Sequence, residues 1–478
     1  MKLRFLAALT AASLAHAAPP GFESIYPAGA QAGSTLTIRV TGAGLEKSPV
    51  TPWFSQPGIT AQPTAKPKEF QLTIPPDTPL GPCLVRLQHP EGSSPPRIFV
   101  IGKLPELTEA EPNDKPADSK QVPAANAVIN GLLEKAGDVD SHPILAKKGQ
   151  LLQIRLHGYA LGSPMDPAIR LLDQTGNQLA LAHDSHNLDP ALDHLPNADA
   201  RLYVQVMAFA HPPAADVSLK GSPAHIYRLQ VTTQPNRTEV QERKHLTLPD
   251  TVHGTIAHPG QADTFLCTLK KGQELTATVR ASTTGSLLDA VLRAEDPKGK
   301  TLQTADDGAE ENLDPELKLT APADGDYKLI LTDRFSAGSP SHHYQLTLTP
   351  TAPQVTAHLD THSYHLEPGK TLDLKLKVTV KGTLKHPLTL TAEALPPGVT
   401  QEPLQVPPKS ADVTLKLKAD PTAPVSQQPI RLKLTTQAPD PALSTTASYI
   451  VPFTEPRGPL LLTTDVHPWL TVSKPPGK

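Results

Sequence analysis

The chain has 478 residues with 44 basic and 47 acidic side chains, and no basic stripe gathers along it, which excludes an electrostatic binder of nucleic acid. Proline occurs 54 times, so long helices are excluded as well, since each interior proline costs about 3 kcal/mol there. Two cysteines, Cys83 and Cys267, are too few for a disulfide framework and read as small buried hydrophobes.

In chain order, Lys2 and Arg4 precede a short apolar core from Phe5 to Leu14, and Ala15-His16-Ala17 supplies small residues for cleavage. This pattern predicts a signal peptide over 1–17, export to the periplasm or the exterior, and a mature chain from Ala18. No later stretch approaches the roughly 20 apolar residues of a membrane-spanning helix, so no transmembrane anchor is expected. The next segments alternate apolar and polar residues with period two. Clear examples are Thr35-Leu36-Thr37-Ile38-Arg39-Val40, Leu372-Asp373-Leu374-Lys375-Leu376-Lys377-Val378 and Ile430-Arg431-Leu432-Lys433-Leu434. Side chains on a strand point alternately to opposite faces, so such segments bury one face and wet the other. Half-exposed strands of this kind belong to antiparallel sandwiches. The expected fold class is all-β, a multidomain string of antiparallel β-sandwiches.

Composition places the boundaries. A first sandwich is expected over 18–103, followed by an acidic, proline-containing connector and a second unit over 104–233. A third unit covers 234–350, a fourth 351–455, and a tail runs over 456–478 with the apolar run Leu460-Leu461-Leu462 and a frayed end at Lys474 to Lys478. The two middle units repeat one another. Ile129-Asn130-Gly131 matches Val252-His253-Gly254, Lys148-Gly149-Gln150 matches Lys271-Gly272-Gln273, and Asp166, Asp173 and Gly176 match Asp289, Asp296 and Gly299, all at one offset. After small insertions Leu188-Asp189-Pro190 matches Leu313-Asp314-Pro315.

The run Glu109-Ala110-Glu111-Pro112-Asn113-Asp114, then Gly137-Asp138-Val139-Asp140, Lys148-Gly149-Gln150, Leu171-Leu172-Asp173 and Tyr227-Arg228-Leu229 resembles the bacterial pre-peptidase C-terminal domain. Asp306-Asp307-Gly308 and Ala323-Asp324-Gly325-Asp326-Tyr327 continue the likeness in the second copy. The resemblance covers about 109–233 and 246–349. It implies jelly-roll-like sandwiches attached to secreted proteins, often peptidases, and related to collagen-binding modules of bacterial collagenases. The first unit is similar to IPT/TIG-type immunoglobulin-like modules through Tyr26-Pro27, Gly29, Gly33, Val40-Thr41-Gly42-Ala43-Gly44-Leu45 and Asp77-Thr78-Pro79-Leu80-Gly81. The last unit resembles bacterial immunoglobulin-like folds in its strand pattern and in the turn Leu395-Pro396-Pro397-Gly398-Val399.

One cluster could carry metal chemistry. Glu109, Glu111 and Asn113 fall on one side of an extended connector, and Asp138 and Asp140 lie in a turn within its reach. Calcium takes six to eight hard oxygens, so it needs carboxylates gathered by loops. The related modules bind calcium with acidic residues in this arrangement, and the resemblance therefore implies Glu109, Glu111, Asn113, Asp114, Asp138 and Asp140 as ligands. The alternative is a solvated acidic connector whose Asp138 and Asp140 cap a turn. The second repeat has Gln261 in place of Asp138 and no paired glutamates, so no calcium is expected there.

Other constellations are weak. No His-Glu-x-x-His occurs, and His183-Asp184-Ser185-His186 and His358, His362 and His365 read as loop histidines. No Gly-x-Ser-x-Gly elbow is present, and Asp306-Asp307 and Glu310-Glu311 read as a solvated turn. The chain is therefore not expected to be an enzyme. It is read as a secreted binding or scaffolding protein that recognises extracellular protein or polysaccharide. The alternative is the accessory subunit of a secreted peptidase system whose catalyst is another chain. Tyr159 and Phe209 are the favoured contact aromatics, ahead of Phe335 and Trp53-Phe54.

Overall fold

The structure is a computed structural model that describes residues 20–45, 49–89, 92–119, 123, 126–185, 188–210, 218–235, 244–308, 313–350, 354–381, 384, 386–436, 443–451 and 460–473. The expected signal peptide and Glu310-Glu311 lie outside the described residues. The chain is all-β, with strands gathered into successive antiparallel sandwiches. The only helices among the described residues are two single 3-10 turns, and none is long and apolar enough to cross a membrane.

In the first unit, Ser24–Tyr26, Thr35–Thr41, Glu69–Thr73 and Thr60–Pro63 form one sheet, and Gly29–Gln31, Arg97–Gly102, Gly81–His89 and Thr51–Phe54 the other. The alternation of Thr35–Thr41 does what the pattern requires: Ile38 and Val40 enter a core with Phe70, Leu72, Val85 and Phe99, and Thr37 and Arg39 face water. Cys83 lies in that core, Cys267 in the core of the third unit, and both are unpaired.

The two middle units share one strand order. Ala127–Leu132, Ile226–Pro235, Gln150–His157 and Ala191–His194 run side by side in the first repeat, as Asp250–Thr255, His343–Pro350, Glu274–Arg280 and Glu316–Thr320 do in the second. The facing sheets, Asp140–Ala146, Ala200–Ala210, Met165–Leu172, Gln178–Ala182 and Ala262–Leu269, Gly325–Asp333, Ala290–Glu295, Thr301–Ala305, match in the same way. The lead-in strands differ. Glu106–Thr108 pairs in parallel with Ala127–Leu132, whereas Lys244–Leu246 pairs in parallel with Ala262–Leu269 in the opposite sheet.

A carboxylate anchors the same crossover in both repeats. Asp189 accepts the backbone N–H groups of Gly158, Tyr159 and Ala160 at 2.9, 2.8 and 2.9 Å, closing the 3-10 turn Tyr159–Leu161. Asp314 does the same for Ala281, Ser282 and Thr283 at 2.9, 2.7 and 3.2 Å. Asp189→Ala leaves three buried donors without this acceptor, so it should lower stability by roughly 3 kcal/mol in urea titrations, with Asp314→Ala close behind. A loss below about 0.5 kcal/mol in either would show that the turns hold by themselves.

The last unit contains Thr371–Lys381 between Ala411–Ala419 and Gln354–Leu359, and Leu388–Glu393 beside Arg431–Thr436. A third sheet corrects the sequence reading of the tail. Trp469–Val472 is the middle strand between Ser363–Leu366 and Ser426–Pro429, and Thr464–Asp465 extends the larger sheet beside Ser448–Ile450. The physical reason is apolar content, because Trp469, Leu470 and Val472 are all fully buried, and Leu470 and Val472 complete the core. Burying such side chains is worth roughly 1.5–3 kcal/mol each.

The string of sandwiches closes on itself. Ala28, Leu84 and Ile98 of the first unit, Leu132, Leu161 and Ile226 of the first repeat, and the core of the last unit form one continuous apolar cluster. Tyr26 donates to the Asn130 carbonyl at 3.2 Å, and Leu461 N–H donates to the Ala160 carbonyl at 3.0 Å. Glu106 and Arg228 form a buried ion pair against Gly29, where any side chain would collide with the guanidinium. The two repeats meet through Gln153, which donates to Ser341 at 2.6 Å.

Candidate metal centre

The acidic connector is stitched to the first repeat by its own backbone. Glu109 N–H donates to the Asn130 carbonyl at 3.0 Å, and Ser141 N–H donates to the Asn113 carbonyl at 2.9 Å, so the connector lies across Ala127–Leu132 and Asp140–Ala146. This folding back brings together Glu109, Glu111, Asn113, Asp138 and Asp140. Oxygens of Glu111, Asp138 and Asp140 lie within 4.8 Å of one another, and ligand atoms of Glu109, Asp140 and His142 form a second such group sharing Asp140. Oxygens bound to one calcium at about 2.3–2.6 Å stand up to about 5 Å apart, which is the spacing found. Asp114 is not in either group. Its side chain is exposed and its carbonyl accepts from Ser141 Oγ at 3.3 Å.

Several ligand atoms are already held in place. Glu111 accepts from Asn113 N–H at 3.0 Å, and Asn113 Nδ2 donates to Glu109 at 3.3 Å. Asp138 caps its turn by accepting from Glu134 N–H at 2.6 Å, which fulfils the turn-cap alternative for one of its oxygens. The other oxygens are different. Asn113 Oδ1, Asp138 Oδ1 and Asp140 Oδ1 are buried without a partner, on residues only 2%, 2% and 0% exposed. Unsatisfied buried acceptors are rare because each carries a desolvation cost of roughly 1–3 kcal/mol. Three such acceptors, on Asn113, Asp138 and Asp140, converge in this one cluster.

Sequence reasoning missed Tyr227 and His142, which form the floor. Tyr227 hydroxyl stands 2.7 Å from Asp140 and 3.0 Å from Glu109, and His142 Nε2 lies 2.6 Å from the same oxygen. A phenol has one proton, so with that proton given to a carboxylate, His142 must donate through Nε2–H. Burial pulls the His142 imidazole down to about 4, keeping it neutral. Burial first, and then the neighbouring Glu109, push Asp140 well above the usual carboxylate range, and burial raises Glu109 as well. A signal for the floor did exist in the sequence. Gly131 pairs with Tyr227, and Gly254 with Tyr344, because in both repeats the tyrosine ring fills the space of the missing side chain.

The centre opens into a cleft of about 320 Å³ between the first sandwich and the first repeat, lined by Tyr26, Arg39, Glu69, Glu109, Glu111 and Glu134. A metal site needs such an entry path. In the second repeat Gln261 keeps the turn cap, accepting from Ala257 N–H at 2.8 Å, but its amide donates to Asp263 at 2.8 Å, and Tyr344 donates to the other Asp263 oxygen. There the hydrogen bonds close among the protein groups alone.

The candidate contact aromatics need correction. Tyr159 is only 4% exposed because its turn is drawn inward by Asp189, and Phe54 is buried against Phe99. Trp53 packs edge-on against Trp469 with centroids 5.3 Å apart. Phe209 is half-buried, while Phe335 is 77% exposed. His186 lies outside the described residues, and the other histidines of the two clusters have separate partners: His183 faces Asp184, His358 faces Ser448, His365 faces Ser473 and His362 faces Arg86. Asp306 and Asp307 pair with Arg334 at 3.5 and 3.6 Å on the surface.

No known family profile and no curated protein matches this chain. Among solved structures, the chain is similar to the pre-peptidase C-terminal domain of a collagenase from Bacillus anthracis, at 12% identity and a TM-score of 0.19, over 24% of this chain and 100% of that one. It is also similar to a Bacteroides ovatus protein of a mixed-linkage glucan utilization locus, solved with a mixed-linkage heptasaccharide, at 11% identity and a TM-score of 0.15, over 68% of this chain and 72% of that one. A third likeness is to a Clostridium perfringens M60 catalytic domain with two CBM51 domains, at 6% identity and a TM-score of 0.14, over 70% of this chain and 54% of that one.

Proposed function

We propose that this chain is an exported, non-catalytic binding protein that recognises extracellular protein or polysaccharide, with a calcium ion structuring its first pre-peptidase-type repeat. The observation that carries the calcium reading is the set of three unpartnered buried oxygens on Asn113, Asp138 and Asp140, beside the carboxylates of Glu109 and Glu111. The donor set suits calcium. It is made of hard oxygens, and the one nearby nitrogen, His142 Nε2, is engaged by Tyr227. Bound there, the ion neutralises four clustered carboxylates and pins the connector to the repeat, fixing the wall of the cleft beneath the first sandwich. The binding reading rests on an architecture of sandwiches in which the described residues bring no nucleophile, base and oxyanion donors together.

Calorimetric titration of the mature chain with calcium tests the site. One binding event should appear, it should vanish in Asp138→Ala, and the thermal midpoint should rise with calcium in the parent only. Two events would place a second ion in the other repeat, against the closed Gln261–Asp263 bond. No event would leave the cluster as a buried, hydrogen-bonded turn without an ion. Glycan and protein arrays with the calcium-loaded chain test recognition, and turnover of any arrayed glycan or protein would overturn the non-catalytic reading.

A further inference from the structure

We propose that the joint between the first and last sandwiches is a proton-operated latch, which His362 closes while neutral and opens when it takes up a proton. The joint centres on Arg86, a fully buried arginine on Gly81–His89. Its guanidinium donates to the Ser94 carbonyl at 3.0 Å within its own sandwich. It then crosses to the last sandwich, reaching His362 Nδ1 at 3.1 Å and Tyr449 hydroxyl at 3.1 Å, and it lies 6.0 Å from the centre of the Trp469 ring. An arginine only donates, so Nδ1 must offer its lone pair and the ring must carry its proton on Nε2.

A second proton on the ring removes that lone pair and sets two cations against each other in a buried joint. Among the described residues, no carboxylate stands against the ring to compensate. Arg86 faces it from the first sandwich, Tyr449 from Ser448–Ile450, and Trp469 from Trp469–Val472, where its backbone N–H holds the His362 carbonyl at 2.9 Å. The nearest buried carboxylate, Asp465, lies behind Tyr449, whose hydroxyl donates to it at 2.9 Å. That carboxylate is already bonded to the imidazole and backbone N–H of His467 at 3.0 and 2.9 Å. Asp360, two residues away along the chain, is exposed to water. Burial, and then Arg86, lower His362 to about 4 in the closed joint, whereas a histidine released into water returns to about 6.5.

The sign follows from linkage. The open form binds the extra proton between those two values, so the closed joint is fully favoured above pH 6.5. The ratio of open to closed molecules then rises close to tenfold per pH unit down to about 4. The test uses the full chain with spin labels at Lys66→Cys and Lys409→Cys, exposed positions on the first and last sandwiches, since both native cysteines are buried. Pulsed dipolar spectroscopy should give one distance at pH 7.5 and a growing longer one at pH 6, 5 and 4.5, with circular dichroism unchanged. His362→Gln, whose amide oxygen accepts from Arg86 without titrating, should stay closed throughout. A parent chain that keeps one distance to pH 4.5, that opens only as its strand signal is lost, or that opens at the same pH as His362→Gln overturns the latch. If His362→Gln does not fold, the His362 ring titration followed by NMR decides, since an ordinary midpoint near 6.5 overturns the proposal and one near 4 supports it.

Discussion

Arg86→Met should lower the stability of the chain by roughly 3–5 kcal/mol, because three buried acceptors lose a charged donor at about 1–3 kcal/mol each. Methionine retains most of the aliphatic stem, so the loss isolates the guanidinium. Three acceptors are stranded at once: the Ser94 carbonyl, the His362 Nδ1 and the Tyr449 hydroxyl. Because two of these belong to the last sandwich, denaturant titration should change shape as well as midpoint, splitting into separate transitions once the two ends are uncoupled. A single transition displaced by less than about 0.5 kcal/mol would mean that the apolar contacts around Leu84 and Ile98 hold the joint alone.

Gly131→Ala and Gly254→Ala form a matched pair with unequal consequences. At either position a methyl would overlap the tyrosine ring beneath, Tyr227 or Tyr344, and both rings are buried in their cores. Overpacking of this kind costs roughly 1–3 kcal/mol, so both variants should melt earlier than the parent. Only Tyr227 also holds two of the proposed calcium ligands, Glu109 and Asp140. Displacing a residue that orients metal ligands costs about 10–100-fold in affinity, so Gly131→Ala should weaken calcium binding by that factor while Gly254→Ala leaves it unchanged. Equal affinities in the two variants would show that the tyrosine does not position the carboxylates.

Much of the fold could be read directly from alternation, because a strand with one buried face writes its own period. Leu374, Leu376 and Val378 are buried while Asp373, Lys375 and Lys377 are exposed, as the pattern states. The duplication was equally legible, since the shared offset recurs as a shared strand order. That Glu109, Glu111, Asn113, Asp138 and Asp140 come together was legible, because backbone spacing and acidic type coincide there. The closure of the molecule could not be found. Arg86 and His362 lie 276 residues apart, and each looks like an ordinary strand or loop residue until the other is beside it. Tyr159 misled for a related reason. Its small and proline-rich neighbours suggest a surface loop, but Asp189, 30 residues away, draws that turn inward.

The position of Trp469–Val472 imposes an order on assembly. A strand that fills the gap between Ser363–Leu366 and Ser426–Pro429 cannot pair before it has been synthesised, so both neighbours wait with bare hydrogen-bonding edges while the chain emerges. Until Trp469 arrives, the ring of Trp53 and the guanidinium of Arg86 lack one wall of their shared pocket. The first sandwich can therefore mature early, but its docking onto the last waits for that strand. Any nascent fragment cut short upstream of that strand is left sticky and open, a natural target for quality control.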